Sequence, residues 1–254
     1  MLSCLNSCLN SRFESSWLRG VLGLAFAVWS FLLAMPAFAD GSVIDKLYHP
    51  YVDALESEIE YRGLRQNLPA GNLLPDEVHQ LSYGAALNHS FFGEVKVVGF
   101  RPQSTGFEVN AFEFELKWQL TEQGEYSADW GLVFEFEHGV NQDLEEVAVG
   151  LLAEKEFGRW SAPANLFAIQ EWGDDIQDEF ETTFAVQARY RYSRLFEPAM
   201  EFYLGQDTVG IGPVIIGQSK LGARKSLSWE FGVIAGLTAK SPNSTLRLLF
   251  EYEF

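Results

Sequence analysis

Residues 246–254 read LRLLFEYEF, and apolar side chains occupy every second position from Leu246 to Phe254. The positions between them include Arg247 and Glu251. A strict period of two is typical of a β-strand whose two faces meet different surroundings. Most domains fray at their ends, whereas this chain ends on a large aromatic residue within the pattern. The stretch therefore predicts a terminal β-strand with one apolar and one polar face.

This terminal strand resembles the insertion signal of bacterial outer-membrane β-barrels, in which the last strand closes the barrel. The resemblance is carried by Leu248, Phe250, Tyr252 and Phe254, although a second leucine, Leu249, follows Leu248 where a glycine is customary. It implies that these side chains face outer-membrane lipid and that the strand binds the barrel-assembly machinery. It also implies that the opposite face lines a lumen and that the protein resides in the bacterial outer membrane.

The N-terminal region has the features of a secretory signal peptide, which we place at residues 1–39. Arg12 and Arg19 supply positive charge ahead of the uncharged apolar run at residues 21–35 (VLGLAFAVWSFLLAM). That run is shorter than the roughly 18–20 apolar residues that a spanning helix needs. Residues 37–39 (AFA) fit the small-x-small cleavage pattern. We therefore expect cleavage after residue 39, and a retained anchor is the alternative.

Charge and cysteine content exclude several kinds of function. Cys4 and Cys8 are the only cysteines, and both precede the expected cleavage site. The mature chain would therefore have no disulfide, no thiolate metal site and no cysteine nucleophile. It would carry 16 basic and 34 acidic residues, because residues 1–39 contain only two arginines and one glutamate. This excess of negative charge argues against a nucleic-acid partner. The four histidines show no ligand spacing, so we expect neither a metal ion nor a cofactor.

Alternating segments recur through residues 55–254 and are clearest at residues 112–120 (FEFELKWQL). We count about twelve, an even number as in single-chain bacterial barrels. Ten is the alternative count, because the patterns at residues 95–100 and 209–217 are the weakest. The sequence thus predicts an all-β, single-chain antiparallel transmembrane β-barrel that follows a short periplasmic lead-in at residues 40–54. The number of residues per strand leaves short loops and no separate plug. The longest predicted extracellular loops are residues 66–79, 101–106, 173–179 and 217–226.

A soluble β-sandwich or lipocalin-like barrel is the alternative fold, and its apolar face would point inward. Aromatic residues argue against it, because they recur near predicted strand ends, as at Trp118, Trp160 and Trp172. Aromatic girdles of this kind mark the two interfaces of a membrane barrel. The opposite face of the strands is rich in carboxylates, as a polar lumen would be. The membrane barrel is therefore the preferred interpretation.

In this register, charged residues of both signs line the predicted lumen, and acidic residues outnumber basic ones. Rings of carboxylates favour cations, so the sequence predicts a small pore or transporter that prefers cations and accepts a small cationic solute. The alternative is a closed structural or adhesive barrel, in which the same charges bridge one another and fill the interior. The predicted lumen charges are Glu56, Glu58, Glu60, Arg62, Glu113, Glu115, Lys117, Glu135, Glu137, Glu154, Glu156, Arg189, Arg191, Glu197, Glu201, Glu230, Arg247 and Glu251.

A lipid hydrolase is the remaining class, because some outer-membrane barrels carry a serine nucleophile and a histidine base on the outer wall. The adjacent pair here is His89-Ser90. Neighbouring residues of a strand point to opposite faces, so this pair cannot form a dyad. We therefore expect no catalytic residue.

Several short stretches resemble an uncharacterised proteobacterial outer-membrane β-barrel family, whose members are often labelled only as transporters or outer-membrane proteins. The resemblance implies a barrel fold and carries no assigned catalytic motif. The stretches are residues 48–52 (YHPYV), 56–63 (ESEIEYRG), 171–175 (EWGDD), 197–201 (EPAME) and 210–214 (GIGPV).

Overall fold

Twelve β-strands make up about two thirds of the described structure. The computed structural model describes residues 43–68, 77–101 and 106–254, so the expected signal peptide lies outside the described residues. The described residues contain no helix of the length and hydropathy needed to cross a membrane. The strands are β1 (Ser57–Asn67), β2 (Glu77–Ala86), β3 (Phe91–Arg101), β4 (Glu108–Gln119), β5 (Asp129–Gly139), β6 (Glu145–Phe157), β7 (Trp160–Trp172), β8 (Glu179–Tyr190), β9 (Glu197–Leu204), β10 (Val209–Lys220), β11 (Ser226–Gly236) and β12 (Ser244–Glu253).

The strands form one closed antiparallel barrel in chain order. The terminal strand β12 pairs with β11 on one side and with β1 on the other, where Phe250 lies opposite Tyr61. The prediction of a twelve-stranded antiparallel barrel is confirmed, and the alternative of ten strands is wrong. The two weakest patterns, at residues 95–100 and 209–217, lie in β3 and β10. Closure leaves no sheet edge with unpaired backbone groups.

The barrel is apolar outside and charged inside. On β4, Phe112 and Phe114 are 46% and 55% exposed, whereas Glu113 and Glu115, which alternate with them, are buried. A soluble protein has the opposite arrangement, because charged side chains are seldom buried and large apolar ones seldom cover its surface. An apolar exterior around a polar lumen is the arrangement of transmembrane β-barrels.

Aromatic rings gather where the strands end. We call the end of the barrel at which β1 begins and β12 finishes the near end, and the opposite end the far end. At the near end, Phe91 stacks on Trp118 with ring centroids 5.4 Å apart, and the centroids of Trp160 and Tyr190 are 5.0 Å apart. At the far end, Trp172 at the end of β7 is exposed. Paired girdles of this kind suit the two interfaces of a membrane.

The connections between strands correct part of the loop prediction. Three of the predicted extracellular loops join strands at the far end, between β1 and β2, β3 and β4, and β7 and β8. The fourth, at residues 217–226, lies at the near end, because it joins β10 to β11. Its first four residues also belong to β10. The prediction ends the strand at residue 217, whereas residues 218–220 continue β10 and pair with β11.

The chain ahead of β1 does not lie outside the barrel. Residues 43–52, which we call the lumen segment, run from the near end into the lumen. Val52 contacts the near end of β4, where its amide donates to the Gln119 side chain at 2.7 Å. Val43 lies against Gly205, at the far end of β9. The structure therefore places these residues inside the barrel, where the sequence predicts a periplasmic lead-in and no plug.

Candidate functional site

The predicted lumen charges lie on the inner face of the barrel wall. Glu60, Arg62, Glu201 and Arg247 are among the most deeply buried of them, with at most 2% of each residue exposed. Glu156 and Arg191 pair with each other at the near end and are part-exposed. The remaining members on this face are Glu56, Glu58, Glu113, Glu115, Lys117, Glu135, Glu137, Glu154, Arg189, Glu197, Glu230 and Glu251.

One charge cluster extends along the inner face of the wall from β12 to β8. The Arg247 guanidinium donates to Glu201 of β9 and to Glu230 of β11, both at 2.8 Å. It also donates to the Tyr203 hydroxyl at 2.6 Å, and that hydroxyl lies 2.6 Å from Glu201. Gln187 of β8 donates to Glu201 at 2.7 Å. The cluster thus joins four strands through buried, charge-assisted hydrogen bonds.

A second cluster fixes the lumen segment to β1. Arg62 donates to Glu60 at 2.6 Å and to Asp45 of the lumen segment at 2.5 Å. Lys46 lies 3.0 Å from Glu60 and 3.8 Å from Glu94. These carboxylates offset the positive charge of Lys46 inside the lumen.

A third cluster surrounds the ammonium of Lys96 on β3. This ammonium donates to Glu113 at 2.7 Å and to Glu115 at 2.5 Å. The Tyr48 hydroxyl of the lumen segment lies 3.0 Å from Glu115 and 2.9 Å from Glu135. Oxygens of the three glutamates lie within 4.8 Å of one another, a spacing that could hold a metal ion. In this structure the ammonium of Lys96 pairs with two of the three, Glu113 and Glu115.

Glutamates on four neighbouring strands stand directly opposite one another. Glu113 pairs with Glu137, Glu137 with Glu146, and Glu146 with Glu171. We call these four residues the carboxylate row; Lys96 lies opposite its first member. Within the described residues, no lysine, arginine or histidine forms a salt bridge with Glu137 or Glu146. Like charges directly opposite each other destabilise a sheet, so the row is costly unless protons or cations offset its charge.

Two cavities occupy the lumen. The cavity at the near end has a volume of about 270 Å³ and reaches Glu58, Arg189 and Glu251. The cavity at the far end has a volume of about 480 Å³. Lys46 and Tyr48 line both cavities. The lumen segment therefore lies between them.

The far cavity has walls of two kinds. Glu137 and Glu146 of the carboxylate row line one side. The other side carries an apolar cluster on the inner faces of β1 to β4. The residues of the apolar cluster are Leu64, Val78, Val98, Phe100 and Ala111.

Sequence reasoning missed the charged residues of β3 and of the lumen segment, and also Glu146 of β6 and Glu171 of β7. Glu94 and Lys96 alternate with Val95 and Val97, so the pattern itself would have placed them in the lumen. The lumen segment shows no alternation and is in no β-ladder. Nothing in its pattern marks it as internal.

The predicted insertion-signal residues lie on the outer face of β12 and just beyond it. Phe250 and Phe254 are exposed, and Leu248 and Tyr252 are partly so. The Tyr252 and Phe254 rings stack with centroids 5.6 Å apart. Phe254 and Ser57 exchange two backbone hydrogen bonds at 2.8 and 3.3 Å, which continue the pairing of β12 with β1. The last residue of the chain therefore takes part in barrel closure.

The pair considered for a lipid hydrolase lies in the turn between β2 and β3. The Asn88 side chain accepts hydrogen bonds from the amides of Ser90, at 2.8 Å, and Phe91, at 3.0 Å. This is a common way for asparagine to stabilise a turn. His89 is exposed at the same turn. Turn formation thus accounts for the asparagine in this stretch.

No family model matches the chain, and no curated protein matches it. The KdgM porin superposes with a TM-score of 0.51 at 13% sequence identity, over 78% of this chain and 99% of the porin. An outer membrane channel from Pseudomonas putida F1 superposes with a TM-score of 0.55 at 14% identity, over 83% of this chain and 98% of the channel. Both are likenesses of fold. The chain thus has the closed-barrel fold of outer-membrane porins and channels, and its apolar exterior fits the bacterial outer membrane.

Proposed function

We propose that this protein is a narrow passage for small cationic solutes across the outer membrane. The observation that carries the proposal is the carboxylate row, in which Glu113, Glu137, Glu146 and Glu171 stand opposite one another on β4 to β7. Carboxylates that line a pore lower the energy of a cation and raise that of an anion. A row that borders the far cavity would therefore attract cations into the lumen.

The wider prediction is part of the same proposal. Residues 1–39 would be removed as a signal peptide, and the mature chain would reach the outer membrane through the periplasm. Its terminal strand would bind the barrel-assembly machinery, and its outer face would contact outer-membrane lipid. The solute would be a small cation, and the apolar side of the far cavity favours one with an apolar part.

A closed structural barrel is the second candidate function. The lumen segment favours it, because residues 43–52 lie between the two cavities and leave less room for a passage. Under this proposal the charge clusters would serve only to fill and stabilise the interior.

Ion conduction in planar bilayers separates the two candidates. The folded full-length mature chain is expected to give resolved conductance steps, with a reversal potential that indicates cation preference in a KCl gradient. The double variant Glu137→Gln, Glu146→Gln removes two carboxylates of the row and should reduce the cation preference. The matched control, Glu122→Gln with Glu125→Gln, removes two carboxylates from the exposed turn between β4 and β5 and should have little effect.

Two results would contradict the proposal. Unchanged selectivity in the Glu137→Gln, Glu146→Gln variant would mean that the carboxylate row does not set the preference. No conductance from protein that migrates as a folded, heat-modifiable barrel would support the structural candidate instead.

A further inference from the structure

The lumen segment is bound inside the barrel but does not belong to its wall. None of residues 43–52 takes part in a β-ladder, and the barrel closes through β1 and β12 without them. Its backbone is bound by wall side chains: Asn165 accepts from the Tyr48 amide at 2.8 Å and donates to the Tyr48 carbonyl at 3.0 Å. The segment could therefore leave the lumen without breaking a hydrogen bond of the barrel wall.

Charged and polar groups along the lumen segment match partners on the wall. Near the middle of the segment, Asp45 and Lys46 pair with Arg62 and Glu60 of β1. Closer to the near end, two more polar contacts bind the segment to the wall: His49 lies 2.6 Å from Glu154, and the Tyr51 hydroxyl lies 2.9 Å from Asp129.

The wall is also shaped to receive the segment. Val43 lies so close to Gly205 that a Cβ added there would come within 2.5 Å of a Val43 methyl carbon. Pro50 lies against Gly131 in the same way, with its Cβ 3.0 Å from an added Cβ. A side chain added at Gly131 would crowd Pro50, and one added at Gly205 would clash with the methyl groups of Val43. The fit extends along the segment and is not confined to one contact.

A turn at the near end joins the lumen segment to β1. The amide of Glu56 donates to the carbonyl of Asp53 at 3.2 Å. Between them Leu55 has a φ of 70° and is 75% exposed. A leucine in the left-handed region is a strained conformation. The strain lies at the one point about which the segment would have to swing.

We infer that the lumen segment is a gate, which separates the near and far cavities when it is docked and joins them when it swings out about Leu55. This inference rests on the proposed passage. Because Lys46 and Tyr48 line both cavities, their departure would remove the partition. The polar contacts give the docked state its stability, and the ladder-free backbone gives the segment its freedom to leave.

A disulfide that locks the segment tests the gate. In the double variant Val43→Cys, Gly205→Cys, the Cβ of residue 43 lies 3.3 Å from the position of the new Cβ, slightly less than the roughly 3.5–4.5 Å found in disulfides. Both native cysteines, Cys4 and Cys8, precede residue 40, so the mature variant would contain this pair alone. We expect oxidation to hold the conductance low and reduction to raise it at least about twofold, reversibly. The single variant Val43→Cys is the control and should not respond to oxidant, whereas Gly205→Cys alone would clash with the intact Val43 side chain.

A second variant covers the case in which the cysteine pair does not fold. Lys46→Gln removes the ion pairs of the segment with Glu60 and Glu94 and leaves the wall carboxylates in place. Openings should become about tenfold more frequent if these pairs hold the docked state. Lys225→Gln, which removes an exposed lysine from the turn between β10 and β11, is the matched control.

The outcomes separate the gate from the cation preference. Cation-selective conductance that is the same before and after oxidation, and unchanged in Lys46→Gln, would overturn the gate and leave the proposed function standing. Conductance that responds to oxidation but shows no cation preference would support the gate and contradict the preference. Silence from every folded variant would overturn both.

Discussion

The guanidinium of Arg247 on β12 lies 2.8 Å from the carboxylate of Glu201 on β9, and neither side chain has any exposed surface. The pair reaches across the inner faces of β10 and β11, so it connects wall positions that no backbone hydrogen bond joins. Removing one partner of a buried ion pair leaves the other charge uncompensated, which typically costs about 3–5 kcal/mol.

We therefore expect Arg247→Met to lower the free energy of unfolding by about 3–5 kcal/mol, measured by urea unfolding of the barrel in lipid vesicles. The double variant Arg247→Met, Glu201→Gln should recover part of that loss, because it no longer buries the Glu201 charge. Lys240→Met is the control. It removes an exposed pair with Asp207, whose contribution should be about 0–1 kcal/mol. Equal losses in Arg247→Met and Lys240→Met would show that the buried pair contributes no more to the free energy of unfolding than the exposed one.

Lys96→Met should make stability depend on added cations. It removes the ammonium that lies among Glu113, Glu115 and Glu135, whose oxygens are within 4.8 Å of one another. Carboxylate oxygens at this spacing suit Ca²⁺, so millimolar calcium should raise the unfolding midpoint of the variant more than that of the original chain. Lys225→Met in the near-end turn is the control. A variant with no response to calcium would show that the cluster relaxes without a cation.

The pH dependence of stability should contain a contribution from Glu56, which lies just ahead of β1. Burial raises the pKa of this carboxyl from 4.5 to about 7, Glu253 adds to the shift, and Lys117 opposes it. The folded pKa lies above the unfolded one, so the unfolded chain loses its proton first as the pH rises. Glu56 should therefore reduce stability progressively between about pH 4.5 and 7 and hold it at the lower level above that range.

In Glu56→Gln this fall in stability should disappear, and the variant should be the more stable protein at pH 8. The measurement is the temperature at which half of the protein has lost the gel mobility of the folded barrel, determined from pH 4 to pH 8. Glu122→Gln, in an exposed turn, should follow the original curve. Parallel curves for Glu56→Gln and the original chain would contradict the assignment.

Barrel assembly should depend on the ring of Phe254 as well as on its backbone. Deleting Phe254 removes both backbone hydrogen bonds with Ser57, whereas Phe254→Ser keeps them and removes the exposed ring. If the ring belongs to the insertion signal, both changes should lower the heat-modifiable fraction in outer membranes. Phe196→Ser, which removes an exposed ring at a near-end turn, is the control. Normal assembly of Phe254→Ser would limit the role of this residue to barrel closure.

The sequence predicts the wall of this barrel well because period-two alternation records the two environments of each strand. On β4, Phe112 and Phe114 face outward and Glu113 and Glu115 face inward, as the alternation of that stretch predicts. Strand β10 is harder, because its glycines, isoleucines and Pro213 leave little contrast between its faces. Its pairing with β9 and β11 supplies what the local pattern lacks.

The contents of the lumen could not be predicted in the same way. Tyr48 contacts Asn165 across 117 positions of sequence, and Arg62 reaches back to Asp45. Such contacts form only once the wall has closed around the lumen segment, and the sequence of that segment shows no alternation that would predict them. The inner face shows which charges meet in the lumen, but it does not show that the chain ahead of β1 lies among them.

The path of the lumen segment places Val43 and Phe254 at opposite mouths of the barrel. An even number of strands brings Phe254 back to the end where β1 starts, but Val43 lies beside Gly205 at the other mouth. A peptide epitope placed just ahead of Val43 would therefore be presented to the opposite compartment from one placed after Phe254. While the segment stays docked, antibodies added to intact cells should recognise only one of the two epitopes.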